Sequence, residues 1–318
     1  MVFIDLHTKK EVERPSCALS LAIGNFDGVH IGHVALIEKA KELAANIGAA
    51  SGVWSFDTPP SDILLGRGAV PQLSDLEDKI SIFASLGLDY AVFGSFEELR
   101  DLSPERFMDE ILYKECTCRA IVCGFNFHFG ACGAGDAAML SRYFAEKGGI
   151  SAVIPAVKYG DDVVSSTLIR KMLEGGNVEL ARTLLGRPYF IKAPVLHGKK
   201  LGRTIGIPTI NQKFPCGRAM VGVGIYACMC EFDGEAHYGV VNVGHRPTVE
   251  DAGELNLETY IIDFDREIYG KDVKLSFYIR LRDEKRFTSL DELSSAVLDN
   301  AESAKKYFEN LNKGGTDR

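Results

Sequence analysis

Gly24-Asn25-Phe26-Asp27-Gly28-Val29-His30-Ile31-Gly32-His33 follows directly on the apolar run Cys17-Ala18-Leu19-Ser20-Leu21-Ala22-Ile23. That order puts glycines and two histidines in a turn between a buried strand and a helix. Gly24 and Gly28 permit a tight turn and a close backbone approach. The segment after it repeats apolar residues at Leu36, Ala40, Leu43 and Ile47, the period of a packed amphipathic helix. At the carboxyl end of a parallel strand, such a helix start offers unpaired N–H groups and a positive dipole end to a phosphate. His30 and His33, three residues apart, share one face of the first helical turn. A histidine pair alone is usually structural; the glycine frame makes this one a candidate site for chemistry on a nucleotide phosphate. Gly24, Asn25, Phe26, Asp27 and Gly32 are then expected to shape the pocket.

Outward from this turn the chain alternates strand and helix. Apolar runs at 19–24, 50–56, 90–94, 119–124 and 150–154 have the character of buried parallel strands. Ser103-Pro104 is an N-cap followed by proline, and Asn177 and Gly186 bracket a short helix. A doubly wound, Rossmann-like α/β domain over residues 1–186 is expected. After Gly186-Arg187-Pro188 the pattern changes to short alternating runs at 189–196, 224–232, 236–243, 257–264 and 272–281. These predict a small antiparallel β-barrel over residues 187–318. Ser289-Leu290-Asp291-Glu292 reads as a capping box that opens a C-terminal helix.

Composition bounds the function. The 318 residues are 46% hydrophobic and 25% charged with net charge −8, ordinary for a globular protein and without the basic stripe that nucleic-acid binding requires. No apolar stretch approaches the ~20 residues of a membrane span. The N-terminus lacks a basic segment before an apolar core, so no signal peptide is expected and the chain is placed in the cytoplasm. The eight cysteines include no Cys-x-x-Cys, and Cys116/Cys118 and Cys228/Cys230 are expected as buried thiols sharing sheet faces. No obligate protein partner is evident.

A second cluster lies at Gly198-Lys199-Lys200-Leu201-Gly202-Arg203-Thr204-Ile205-Gly206-Ile207-Pro208-Thr209-Ile210-Asn211. Three glycines and three basic residues suit a backbone cradle for phosphates, although no Gly-Lys-Ser/Thr ends it as in a Walker A loop. Thr209 and Asn211 offer hard oxygen ligands to Mg²⁺. Farther on, Glu258 stands in an otherwise half-apolar strand, where an unpaired carboxylate is costly.

The 24–33 segment resembles the His-x-Gly-His signature of nucleotidylyltransferases, and with the other motifs the chain resembles the bacterial bifunctional riboflavin kinase/FMN adenylyltransferase (FAD synthetase) family. The resemblance runs over about residues 15–310 with its motifs in family order. It implies that riboflavin is phosphorylated to FMN and that FMN receives AMP from ATP, releasing pyrophosphate, with Mg²⁺ and ATP used at each step. His30, His33 and Arg170 then stand at the phosphates of the adenylyl transfer, and Ser165, Ser166 and Thr167 form the family's second phosphate motif. Gly198, Lys199, Gly202, Arg203 and Gly206 correspond to the kinase glycine loop, and Glu258 to the base that takes the ribityl hydroxyl proton. Asn126 and His128 occupy the flavin-side loop, where the family usually carries Asp-Phe-Arg-Phe-Gly; Asn126 replaces its Asp, and His128 its Arg. Pro59 likewise replaces a histidine in Phe56-Asp57-Thr58-Pro59-Pro60. These departures leave open a riboflavin kinase with weak adenylyltransferase activity. A flavin-binding regulator with lapsed catalysis is the rival from another class, disfavoured by the retained Glu258, His30 and His33. A class I aminoacyl-tRNA synthetase fragment would need a Lys-Met-Ser-Lys-Ser loop, which Lys171-Met172-Leu173 does not supply.

Overall fold

The computed structural model describes residues 1–6, 15–198, 202, 206–245 and 255–313. Contacts divide the chain into two compact units, Met1–Ser166 and Thr167–Arg318. In the first, six parallel strands form one sheet. In chain order they are β1 (Val2–Asp5), β2 (Leu19–Ile23), β3 (Ala50–Phe56), β4 (Tyr90–Gly94), β5 (Cys118–Gly124) and β6 (Ile150–Ile154). Their spatial order is β1-β4-β3-β2-β5-β6. Five of the six match apolar runs in the sequence. The sixth, β1, is an edge strand with one buried residue, Ile4, and carries no such signal.

Helix α1 (Ile31–Ile47) buries Leu36, Ile37, Ala40, Leu43 and Ala44; of the stripe read from the sequence, Leu36, Ala40 and Leu43 are buried and Ile47 is half-buried. Helix α2 (Leu76–Ser85) begins with a reciprocal capping box between Asp75 and Asp78, and α3 (Ala137–Glu146) is capped by Asp136. From β2 the chain moves to β3 and β4 on one side, then crosses to β5 and β6 on the other. The junction of β2 and β5 is therefore the topological switch point, where ligands bind in open parallel sheets.

The second unit starts with α4 (Ser166–Glu174, whose first residue is the last of the first unit) and α5 (Val178–Leu185). The expected break at 186/187 differs from this division. Helix α5 packs on barrel strands, the Gly222 N–H donates to the Leu173 carbonyl at 2.8 Å, and the Arg280 N–H donates to Glu179 at 3.3 Å. Gly186 is also the left-handed C-cap of α5.

The barrel strands are β7 (Tyr189–Pro194), β8 (Thr209–Lys213), β9 (Gly224–Phe232), β10 (Glu235–His245), β11 (Leu255–Ile261) and β12 (Asp272–Arg282), all antiparallel, in spatial order β7-β12-β9-β10-β11-β8. The sheet curls until its edges meet. The Leu196 N–H donates to the Asn211 carbonyl at 2.7 Å. Gln212 is fully buried, and its amide donates to the carbonyls of Ala193 (2.7 Å) and Val273 (3.0 Å). Strand β8, whose residues are largely polar, is not among the runs that the sequence marks as strands. Gln212 resolves that conflict, since a polar side chain is tolerated inside when hydrogen-bonded.

The last helix, α6 (Leu290–Lys313), covers one sheet face through Ala301, Ala304 and Phe308. The rings of Phe308 and Tyr238 stack at 4.2 Å. Its capping box is only half formed. Ser289 accepts from the Glu292 N–H, but Glu292 reaches back to Thr288 and not to Ser289. Of the cysteine pairs, Cys228 and Cys230 share a buried face of β9 as expected. Cys116 instead caps the helical segment before β5, with Thr117 at positive φ, so only Cys118 lies in the strand.

Candidate active sites

In the first unit, the turn after β2 bends back on itself through residues with positive φ: Phe26 (49°), Gly28 (76°) and Val29 (40°). Left-handed backbone costs a non-glycine residue roughly 1–2 kcal/mol, and a β-branched one such as Val29 is a true outlier. Such strain persists only where the surroundings over-determine it. They do here. One carboxylate oxygen of Asp27 accepts from the N–H groups of Leu73 (2.8 Å) and Ser74 (3.2 Å), and the Gly28 N–H donates to the Ser74 hydroxyl at 2.9 Å. Lys79 Nζ (2.9 Å) and Ser55 Oγ (3.3 Å) both donate to the Asn25 carbonyl. Phe26 is wholly buried, edge-on to Phe83 and His33.

Phe26 and Asp27 are buried and anchor the turn, while Asn25 is exposed. His30 is the N-cap of α1, its Nδ1 accepting from the His33 N–H at 3.3 Å. In the neutral imidazole that assigns the proton to Nε2, leaving a donor on the far side of the ring. The two imidazoles stack at 3.7 Å with 16° between planes. Gly32 is needed for this geometry: a Cβ there would stand 3.0 Å from the His30 ring.

The other expected residues of this site lie at the carboxyl ends of neighbouring strands or just beyond. Asn126 and His128 are exposed on the loop after β5, beside β2 in the sheet. Ser166 donates to the Asp27 carbonyl at 2.8 Å, tying the start of α4 to the histidine turn. Ser165 and Thr167 flank it, and Arg170 is half-buried one turn farther along the same helix.

In the second unit, Glu258 on β11 faces Asn211 of β8 on one side and Asn242 of β10 on the other. Direct cross-strand partners share a sheet face, so the three form a polar row. The Asn256 amide, two residues from Glu258, donates to Asn211 Oδ1 (3.4 Å) and Glu258 Oε1 (3.3 Å). The Asn242 amide reaches Glu284 at 3.5 Å. Glu258 is exposed whereas Asn211 and Asn256 are buried. Thr209 lies on the same face as Asn211, two residues before it.

Of the glycine motif, Gly198, Gly202 and Gly206 are among the described residues. A Cβ on Gly198 would meet the Asn211 amide at 2.5 Å, and one on Gly202 the Ile207 carbonyl at 2.2 Å. Both positions therefore demand glycine for close approach. Gly206 follows at the end of the loop. Lys199 and Arg203 lie outside the described residues. A cleft of about 280 Å³ opens beside Thr209, walled by Pro208, Phe264, Arg266, Ile268 and Tyr269 among others. Arg266 lies over the Phe264 ring and is paired with Glu235, which also contacts His237. Glu235, exposed, is held below the usual carboxylate range chiefly by the Arg266 hydrogen bond.

Sequence reasoning did not single out Asn242, Asn256, Ser74 or Lys79; the segment 264–270 follows the family pattern there, without a role in the cleft wall. Strand periodicity could have aligned Asn256 with Glu258; the others depend on contacts distant in sequence. Thr209 and Asn211 provide two oxygen donors on one face of β8, with Gly198 against the Asn211 amide. Such a set fits Mg²⁺, which is held by few protein oxygens and mainly by phosphates and water.

Two family models match the chain in series, one described as FAD synthetase over residues 12–168 and one as riboflavin kinase over residues 185–308. The bifunctional riboflavin kinase/FMN adenylyltransferase of Bacillus subtilis (strain 168) is 36% identical over 312 residues, covering 96% of this chain and 97% of that protein. The protein of the same name from Escherichia coli (strain K12) is 33% identical over 306 residues, covering 95% and 96%. A solved structure from Streptococcus pneumoniae, described as a macrolide-efflux protein, matches with a TM-score of 0.84 and 28% identity over 98% of this chain and 99% of that one. Among the described residues of the present chain, no helix is long and apolar enough to cross a membrane.

Proposed function

The chain belongs to the bifunctional riboflavin kinase/FMN adenylyltransferase family, and from that premise we propose how its residues divide the two reactions. It converts riboflavin to FMN with ATP, and FMN to FAD with release of pyrophosphate.

In the adenylyl transfer an FMN phosphate oxygen attacks the α-phosphorus of ATP, and the bond to the bridging oxygen of pyrophosphate breaks. The nucleophile is already ionised, so the site needs fixed donors for growing negative charge and no base. His30 Nε2–H, the His33 ring, the first N–H groups of α1 and Arg170 are assigned that role. Ser165 and Thr167 border the phosphates, and Asn126 and His128 border the flavin.

In the kinase reaction the ribityl 5′-hydroxyl attacks the γ-phosphorus, its proton passes to Glu258, and ADP leaves. Asn256 and Asn211 orient the carboxylate. Gly198, Lys199, Gly202, Arg203 and Gly206 cradle the phosphates, and the cleft beside Thr209 takes the rest of the nucleotide. Thr209 and Asn211 would hold Mg²⁺, which neutralises phosphate charge when bound. For function we assign residues 1–166 with the start of α4, which carries Thr167 and Arg170, to adenylyl transfer, and the remainder of the chain to phosphorylation. Five buried cysteines suit a reducing compartment, which favours the cytoplasm; burial pushes the Cys118 thiol up to about 12 and that of Cys123 up to about 11.

The observation that carries this division is the Glu258–Asn211–Asn242 row. An exposed carboxylate stands among amides in the unit that must deprotonate an alcohol. Incubating the purified chain with riboflavin and MgATP and separating the flavins over time tests it. FMN is expected first and FAD after it; failure to form FMN would contradict the kinase assignment, and FMN without FAD the adenylyl-transfer assignment.

A further inference from the structure

Lys79 takes no part in the chemistry just assigned, yet it sits on α2 with 4% of its surface exposed. Desolvation lowers its ammonium below the usual lysine range, against the attraction of Asp27, Asp75 and Asp57. A buried cation is tolerated only where its hydrogens are used. Its Nζ donates to the Asn25 carbonyl at 2.9 Å, across 54 residues of sequence, and Ser55 Oγ donates to the same oxygen. Asn25 immediately precedes the left-handed Phe26, and Val29, also left-handed, immediately precedes His30. Two donors thus hold the carbonyl at the entrance of a turn that strain would otherwise relax.

We infer that Lys79 is a positioning residue for adenylyl transfer: by gripping the Asn25 carbonyl it keeps residues 25–30 in their strained path and so fixes where the His30 ring and the start of α1 meet phosphate. This rests on the adenylyl-transfer reading of that turn. The grip complements the Asp27 carboxylate, which holds the opposite side of the turn to Leu73 and Ser74. Residues 73–79 therefore act as a template that shapes the turn without touching substrate. Small displacements of reacting groups are costly to rate, up to about a hundredfold for 1 Å.

The test is Lys79→Met in the full chain, which keeps the bulk and removes the donor. The turnover number for FAD formation from FMN is expected to fall about tenfold or more, with KM for FMN changed less than about threefold. Riboflavin phosphorylation, assigned to the other unit, should keep its rate. Trp54 is the single tryptophan, 1% exposed and adjacent to Ser55, so its emission reports whether the first unit is folded. Ser55→Ala removes the second donor without touching a charge and is expected to lower turnover about threefold to tenfold.

His30→Ala run alongside separates the failures. If it adenylylates FMN as fast as the unaltered chain, the site reading falls and the Lys79 inference with it. If His30→Ala is slow while folded Lys79→Met is as fast as the unaltered chain, the Lys79 inference alone is overturned. Should Lys79→Met not fold, Ser55→Ala decides: reduced turnover with unchanged KM supports the grip on Asn25, and unchanged turnover overturns it.

Discussion

The turn at residues 24–33 is enclosed by its own unit, whereas Glu258 is exposed to solvent, on the sheet face that α6 covers farther along at Tyr238, Val240 and Tyr260. In the turn, His30 is 6% exposed, Phe26 is wholly buried, and the backbone is held in a left-handed path by Asp27, Ser74, Ser55 and Lys79. In the row, Glu258 is exposed and its neighbours are amides. The difference follows the nucleophiles. A phosphate arrives ionised and needs donors fixed in advance, which strain and burial provide. A hydroxyl must lose a proton as it attacks, so it needs a carboxylate that substrate can reach.

That contrast can be broken most sharply at Glu258. Glu258→Gln keeps the shape and removes the proton acceptor, so FMN formation is expected to fall by about 10²–10⁴-fold. FAD formation from supplied FMN should stay within about twofold, read in the same preparation by separating the flavins. A smaller effect is expected at the turn. His30→Ala or His33→Ala removes a donor to developing charge, and FAD formation should drop by about 10²–10³-fold while FMN formation holds.

The boundary between the units sharpens the comparison further. A fragment of residues 167–318 is expected to phosphorylate riboflavin and to unfold at a higher temperature than one of residues 187–318. The shorter piece lacks α5 and exposes the surface that Ala181, Leu184 and Leu185 cover; each buried leucine is worth roughly 1.5–3 kcal/mol. Equal unfolding midpoints would return the boundary to Gly186.

The smallest expected effect concerns acid stability of the first unit. The Asp89 carboxylate is held below its usual range by the backbone N–H of Ser51, with help from the Ser51 hydroxyl. A carboxylate depressed in the folded state adds stability above its unfolded value near 3.8, and that contribution disappears as pH falls through the folded value. Asp89→Asn should therefore lower the Trp54 unfolding midpoint slightly at pH 7, and the difference from the unaltered chain should shrink as pH falls below 3.8. The loss at neutral pH is about that of one hydrogen bond, roughly 1 kcal/mol.

Much of this architecture was legible because burial on both faces of a parallel strand leaves an unbroken apolar run. Strands β2 to β6 announce themselves that way. Strand β1 does not, since an edge needs only Ile4 buried. Strand β8 was hidden because its work is done by polar groups, Gln212 closing the barrel inward and Asn211 joining the site. Gly186 was legible as a helix end, and it is the C-cap of α5. Within the sites, His30, His33 and Glu258 were legible from local motifs. Lys79, Ser74 and Asn242 were not, because each acts through contacts that exist only once distant segments meet.

The claim at the centre is that one chain carries two complete and separable sites, and mixing two variants tests it directly. Glu258→Gln lacks the base for FMN formation, and His30→Ala lacks a donor for adenylyl transfer. Each alone, given riboflavin and MgATP, is expected to make little FAD. Combined in one vessel, they should accumulate FAD from riboflavin, FMN made by the His30 variant being adenylylated by the Glu258 variant. A mixture that makes FMN but no more FAD than the His30 variant alone would contradict that claim.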